Sequence, residues 1–317
     1  MKNNIKVLSN KYASIILMCF ILITITIFLS IKAPYFLTWK NFINILEANS
    51  YKMILAIGMT FIIASGAIDL SVGSIISLSA IVMGISMKSD SSVLGGILIG
   101  ITVGIILGFF NGTIIHFTGI NSLIITLATS SIFRGLSLIL TKGTPITKFD
   151  SSFLYLGIGD LFGMEPGVFI SIVILVIAIP LMYSMKWGNY LKTLGGNEKA
   201  LKRTGVRTGW YRVSSYMYMG VMASIVGIII TARLNSAEPN AGLGMELDAV
   251  TAVIMGGTPL SGGKASLAGT VIAVFLLGLI RNGLTVMSVS SFYQQFVTGL
   301  ILLVSILIAE IKEHKTV

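Results

Sequence analysis

The feature that most constrains this chain is a succession of apolar runs, at 13–31, 53–68, 71–87, 93–117, 123–140, 168–185, 213–232, 247–255, 267–280 and 292–309, each bounded by Gly, Pro or a polar cluster. A helix rises about 1.5 Å per residue, so roughly 20 apolar residues cross a hydrocarbon core of about 30 Å. Inside lipid the backbone must satisfy its own polar groups, which leaves helices or a closed barrel, and runs of this length predict helices. The expectation is an all-α, polytopic transmembrane helical bundle, a single transmembrane domain over residues 1–317. It has about ten membrane helices if the short run 247–255 spans. Composition agrees: 11% of residues are charged, against roughly 25% in soluble domains. Lys2, Lys6 and Lys11 precede the first run as in a signal peptide, but that run exceeds the roughly 7–15 residues of such a segment and Lys32 spoils a cleavage site. It is expected to stay as a membrane helix.

The net charge of +10 is carried by short clusters between apolar runs, which points to membrane topology and away from a nucleic-acid partner. Segment 186–212 holds Lys186, Lys192, Lys199, Lys202, Arg203, Arg207 and Arg212 against Glu198 alone. It is therefore expected to be cytoplasmic. The lysines before the first run, with Lys312 and Lys315 at the other end, place both termini inside as well. Six crossings followed by four satisfy all three demands. Segments 142–166 and 235–246, which carry Asp150, Asp160, Glu165, Glu238 and Glu246, then face outward.

Few residues are available for chemistry. Cys19 is the only cysteine, and His116 and His314 lie far apart, which argues against a disulfide or a metal site. Gly96, Gly100, Gly104, Gly108 and Gly112 recur at every fourth position. Such a stripe lets another helix approach closely and is expected to serve helix packing ahead of pore lining. Asp69, with Ser71 and Gly73, interrupts two apolar runs. A carboxylate there is either functional or a cap and hinge at a helix break, and cap and hinge is the preferred reading. Arg134, within 123–140, is expected to snorkel or pair inside the bundle.

Segment 256–266 looks like a phosphate loop but fails twice, since Thr258 stands at the first glycine position and Ala265 at the hydroxyl position. The chain is thus not expected to hydrolyse ATP or hold a cofactor. In segment 195–206, Asn197 suits an N-cap and Gly205 a helix stop. A short helix along the membrane surface follows, either a positive-inside anchor, which composition alone favours, or a coupling helix docked in a cytoplasmic motor. Glu198 is either a first-turn acid or a contact to a basic patch on that motor.

These residues also form recognisable strings. Gly58-Met59-Thr60 with Ile68-Asp69-Leu70-Ser71-Val72-Gly73-Ser74, and Gly195-Gly196-Asn197-Glu198, are joined by a longer pair: Ala232-Arg233-Leu234-Asn235-Ser236-Ala237-Glu238-Pro239 with Gly244-Met245-Glu246-Leu247-Asp248-Ala249. Gly256-Gly257-Thr258, Leu260-Ser261-Gly262-Gly263-Lys264, Asn282-Gly283-Leu284 and Ser290-Ser291-Phe292-Tyr293-Gln294 complete the set. Over nearly its whole length the chain resembles the ribose-type permease subunits of bacterial ABC importers, with one departure, a spacing in Ser65-Gly66-Ala67-Ile68 before Asp69 that differs from the usual one by one residue.

The resemblance implies an inner-membrane subunit that passes a small sugar, ribose or a related monosaccharide. It implies a second permease subunit, most simply an identical one, a cytoplasmic ATPase that carries ATP and Mg, and an extracytoplasmic sugar-binding protein. It makes Gly195, Gly196, Asn197, Glu198, Lys199, Ala200, Arg203 and Gly205 the ATPase-coupling loop. Asp69, Ser71, Gly73, Arg134 and Asn282 become candidates for translocation or helix breaks, and Arg233, Glu238 and Glu246 for docking the binding protein. An ion-coupled secondary transporter with broken helices is the alternative, but it leaves the basic segment 186–212 unexplained. An intramembrane enzyme needs a convergent acid, base or metal set, which the apolar runs do not offer.

Overall fold

In the computed structural model of the chain, residues 2–33, 35–89 and 91–314 are described, with side chains between 16 and 307 apart from Leu17, Pro34 and Asp90. Lys2, Lys6, Lys11, Lys312 and Lys315, on which the expected placement of the termini rests, lie outside the described side chains, as does His314. Among the described residues the architecture is helical: α1 (Lys2–Lys32), α2 (Trp39–Ala64), α3 (Val72–Lys88), α4 (Val93–Thr118), α5 (Ser122–Thr141), α6 (Ser151–Ile158), α7 (Pro166–Tyr183), α8 (Lys186–Arg203), α9 (Thr208–Leu234), α10 (Met245–Met255), α11 (Leu267–Val286) and α12 (Ser291–His314). One antiparallel ladder joins β1 (Ile146–Thr147) to β2 (Ser236–Ala237), pairing Ile146 with Ala237 and Thr147 with Ser236.

Six helices, α2, α4, α5, α7, α9 and α11, are long and apolar enough to cross a membrane. Shorter apolar helical stretches cover Met18–Lys32, Val72–Lys88 and Ser291–Leu307. Run 247–255 corresponds to α10, whose 11 residues rise about 16 Å, roughly half the hydrocarbon core. The helix of that run therefore does not span by itself. The α2 boundary also differs from its apolar run. Helix begins at Trp39, well before residue 53, because Asn41, Glu47, Asn49 and Lys52 lower the hydropathy of its first half while facing other helices.

Burial divides central from peripheral helices. The most apolar windows of α2 and α9 are 72% and 67% buried, whereas those of α4 and α5 are 22% buried. On α4 the pattern is inverted relative to a soluble helix: the glycines are buried while Leu98, Ile106 and Phe109 point outward. Large apolar groups lose nothing by facing lipid, and close packing needs small residues, so this is how a membrane helix distributes them. A Cβ at Gly104 would overlap Ser224 Oγ and the Gly220 carbonyl, and one at Gly108 would overlap the Tyr216 carbonyl. At Gly112 it would lie 2.7 Å from Val213 Cα. Gly96 and Gly100 turn instead toward α3, against Met87 and Met83.

Candidate functional site

Three interruptions of helix meet on one side of the bundle. The first is the end of α2, where Gly66, at φ 76°, sends its amide back to the Ile63 carbonyl at 2.9 Å. The second is the loop between α10 and α11, which carries Gly262 and Gly263 at φ 79° and 80°. The third is α8, which contributes Gly195 and Gly196. Gly263 donates its amide to the Ala64 carbonyl at 3.0 Å. A Cβ at Gly195 would overlap that same carbonyl and stand 2.8 Å from the amide nitrogens of Gly66 and Gly263, and one at Gly262 would stand 2.7 Å from Gly66 N. Three backbones thus touch with no side chain between them, which only glycine allows. Gly196 is less confined, with its nearest neighbour 3.5 Å away.

Just past this joint α8 breaks. Asn197 is non-helical at φ −160° and ψ 87°, and its Oδ1 accepts the Ala200 amide at 2.9 Å. The short helical piece that follows stops before Gly205, at φ 80°. Lys199, Ala200, Arg203 and Gly205 are exposed. Glu198 is occupied within its own chain, accepting Lys202 Nζ at 2.9 Å, Arg212 at 2.7 Å and Thr208 Oγ1 at 3.3 Å. The carboxylate clamps the short helix to the start of α9. Burial pushes the Glu198 carboxyl up, but the hydrogen bonds and charges of Lys202 and Arg212 together outweigh it and hold the group below the ordinary value. Beside the break lies an open groove lined by Asn189, Lys192, Thr193, Gly196, Asn197 and Gly263.

From the joint, residues 67–71 run into the bundle without helix. Their polar backbone is satisfied by side chains: Ile68 N donates to Ser122 Oγ and Leu70 N to Thr126 Oγ1, both at 3.1 Å, and Tyr216 donates its hydroxyl to the Ile68 carbonyl at 3.3 Å. Non-helical backbone at such a depth needs partners of this kind. Asp69 is fully buried, and its Oδ1 accepts both the amide and the hydroxyl of Ser71, at 2.9 and 2.6 Å. Asn111 donates to the same hydroxyl at 2.7 Å. Ser71 stands at the N-cap of α3 and makes no side-chain cap bond; Asp69, two residues earlier, holds its amide.

The second half of segment 235–246 folds into the bundle. Arg134 donates one amino group to the carbonyls of Pro239 and Ala241, each at 2.8 Å. Gly73 then has no room for a Cβ, which would overlap the Gly242 carbonyl and lie 2.5 Å from Glu246 Oε2. That oxygen is buried and has no hydrogen-bond partner among the described residues, while Glu246 as a whole is half-buried. The guanidinium of Arg134 draws loop carbonyls inward, and glycines at φ 75° and 82°, Gly242 and Gly244, let the chain turn there. Glu238 accepts Ser236 Oγ at 2.7 Å, and Arg233 pairs with Glu165 at 3.3 Å. Asn282 exchanges amide hydrogen bonds with Asn41 at 3.0 and 2.8 Å.

Apolar run 247–255 holds a charge, Asp248, and two others are flanked by one, Lys52 and Arg281. Arg281 makes a two-pronged ion pair with Asp248, at 2.8 and 2.6 Å, and also reaches Thr298. Lys52 lines the same cavity as that pair. Asp248 stands inside run 247–255 and Arg281 directly after run 267–280, so each intramembrane charge was itself the signal.

A family model described as the permease component of a branched-chain amino acid transport system matches residues 41–306. The chain belongs to this permease family. The ribose import permease protein of Bacillus subtilis is 39% identical to the permease over 290 residues, covering 90% of each chain. That of Escherichia coli K12 is 34% identical over 296 residues, 92% of each. The D-allose transport system permease protein of Escherichia coli K12 is 32% identical, over 92% of this chain and 88% of its own. No solved structure matches the permease. The permease is a multi-pass inner-membrane protein and a transporter subunit, not an enzyme.

Proposed function

We propose that the permease carries a small sugar, ribose or a related monosaccharide, into the cytoplasm, driven by ATP and Mg on a separate ATPase and supplied by an extracytoplasmic sugar-binding protein. The observation that carries the substrate class is the similarity over nine-tenths of both chains to proteins named for ribose import. The glycine joint supports the mechanism. A motor that grips the exposed face of 199–205 and the adjoining groove moves α8, and backbone contact passes that movement to the end of α2 and to the loop before α11. Asp69, Ser71 and Gly73 then act as the hinge of α3, and Arg134 and Glu246 as the hinge of α10.

In this reading the joint lies on the cytoplasmic face with both termini, and the chain passes the membrane six times before α8 and four times after it. Two passages, through α3 and α10, combine a short helix with an extended stretch. Two identical copies form the pore, and Arg233 and Glu238 lie on the face that receives the binding protein. The test is uptake of labelled ribose by cells that lack their own ribose permease and express this chain with its ATPase and binding protein. Saturable uptake, competed by excess unlabelled sugar of the preferred class, is expected. Absence of uptake for ribose, allose and arabinose alike, with the complex assembled, contradicts the proposal.

A further inference from the structure

The segment between α6 and α7 is a tight hairpin with Phe162 and Gly163 at its tip. Leu161 and Met164 exchange backbone hydrogen bonds at 2.9 and 3.2 Å, and the tip residues stand at φ 55° and 83°. Two positive φ values make this the turn that Asn-Gly, Asp-Gly or Gly-Gly normally fills. A bulky side chain in the left-handed region is an outlier that persists only where its surroundings impose it. Asp160 supplies part of that constraint: its Oδ1 accepts the Gly163 amide at 2.7 Å, and its carbonyl accepts the Tyr155 hydroxyl at 3.1 Å. The ring presented in this way is 88% exposed. Held out into water, an aromatic side chain gains nothing that offsets such a backbone.

The neighbouring helix indicates what covers the ring. The Phe162 and Phe169 ring centroids are 6.0 Å apart, and Phe169 belongs to the first turn of α7. Helix α7 has 18 residues, a rise of about 27 Å against a hydrocarbon core of about 30 Å. Its first turn therefore lies at the edge of that core. Phe169 shares a face of α7 with Ile172, Val173 and Val176, all three of them exposed. Large apolar side chains turned outward on a membrane helix mark its lipid face. Phe162 continues that face past the helix end, at the level where aromatic side chains favour the membrane–water interface.

We infer that the 160–164 hairpin is a membrane anchor whose Phe162 ring lies at the boundary of headgroups and acyl chains, with phospholipid as its partner. In the proposed orientation this is the outer leaflet; the naming of the leaflet rests on that reading, and the depth of the ring does not. Behind the anchor the chain is fixed to the bundle. Glu165 pairs with Arg233 at 3.3 Å and gives its amide to Glu47 at 3.1 Å, while Gly157 packs against the backbone of Ala232 and Arg233. The anchor thereby sets the height of the end of α9 in the membrane, just before segment 235–246 turns into the bundle.

The test places a nitroxide at Phe162→Cys and, as a control, at Asp150→Cys, an exposed charged position whose side chain makes no cap bond. Both are made in a Cys19→Ser background, with the full chain in phospholipid nanodiscs. Collision with oxygen, which concentrates in lipid, is compared with collision with a water-soluble nickel chelate. The expected oxygen-to-nickel ratio is severalfold higher at 162 than at 150, and it stays so when sugar-loaded binding protein is added. Equal ratios, or immobilisation of the 162 label by the binding protein, overturn the anchor. Should the labelled chains fail to fold, Phe162→Asn provides the second measurement, because asparagine suits the turn better than phenylalanine does. Amides 155–164 of that variant are expected to exchange severalfold faster than wild type in nanodiscs, and equal or slower exchange overturns the anchor. Orientation is read separately, by a membrane-impermeant maleimide on Asp150→Cys in intact cells. Resistance to that reagent, with the 162 label in lipid, contradicts the proposed orientation and supports the anchor in the other leaflet.

Discussion

Glu198 holds two cations and a hydroxyl contributed by its own helix and by the start of α9. With its folded-state pKa depressed, the clamp contributes at every pH above the ordinary carboxylate range and is lost as pH falls through the lower folded value. Hydrogen exchange of amides 198–203 is therefore expected to stay protected from neutral pH down to about 4.3, the free glutamate value, and to lose protection below it. Glu198→Gln should show that loss already at neutral pH, and equal protection in the variant would remove the clamp from the account. Arg134 is a second residue with a defined load. Arg134→Met strips two carbonyls of charged donors, each such bond worth about 1.5–3 kcal/mol, and should lower thermal stability and open 239–241 to proteolysis. An unchanged melting temperature would contradict this. Of these roles, the sequence made legible that Asp69 and Arg134 were too costly in lipid to be incidental. It did not show which backbone groups they hold, because carbonyls of residues 239 and 241 have no signature in residue type.

Glycine spacing acts at the scale of elements. A period of four puts Gly104, Gly108 and Gly112 on one face of α4 wherever the helix lies, and α9 is the helix that meets it. Replacing Gly104 with Leu drives a side chain into the Gly220 backbone. Overpacking costs about 1–3 kcal/mol where side chains can yield, and backbone yields less. The expected result is loss of assembled protein in detergent extracts; a stable variant with altered substrate preference would instead assign the stripe to the path. The joint permits a finer comparison. Gly195→Ala has no room, whereas Gly196→Ala has 3.5 Å to its nearest neighbour. The first should impair coupling of hydrolysis to uptake and the second should preserve it, so equal behaviour of the two would contradict the joint. Only part of this was legible beforehand. Asn197 and Gly205 marked the short helix by their cap chemistry, but a contact between three backbones leaves no trace in hydropathy or charge. The half-length of α10 was visible in its run of nine residues, and the inward turn of 239–246 was not, because its one acidic residue, Glu246, read as solvent-facing.

At the scale of the whole molecule, a helical membrane bundle followed directly from the run lengths, since lipid leaves few alternatives. The polar interior of that bundle was hidden by the same averaging. Lys52, Asp248 and Arg281 lie near or within runs whose mean hydropathy is high, and only folding brings them to one cavity. Among the helices long enough to span, α2 and α9 have the most buried apolar windows, with α2 touching both the joint at Ala64 and the cavity at Lys52. In the proposed mechanism, force applied at α8 reaches the interior through one continuous helix. The central claim is that an external motor supplies that force. It is tested most directly by reconstituting the permease with its ATPase in liposomes and measuring sugar uptake as ATP, binding protein and ion gradients are varied one at a time. The account predicts uptake that requires both ATP and binding protein and persists when proton and sodium gradients are dissipated. Uptake by the permease alone that collapses with an ion gradient would contradict it.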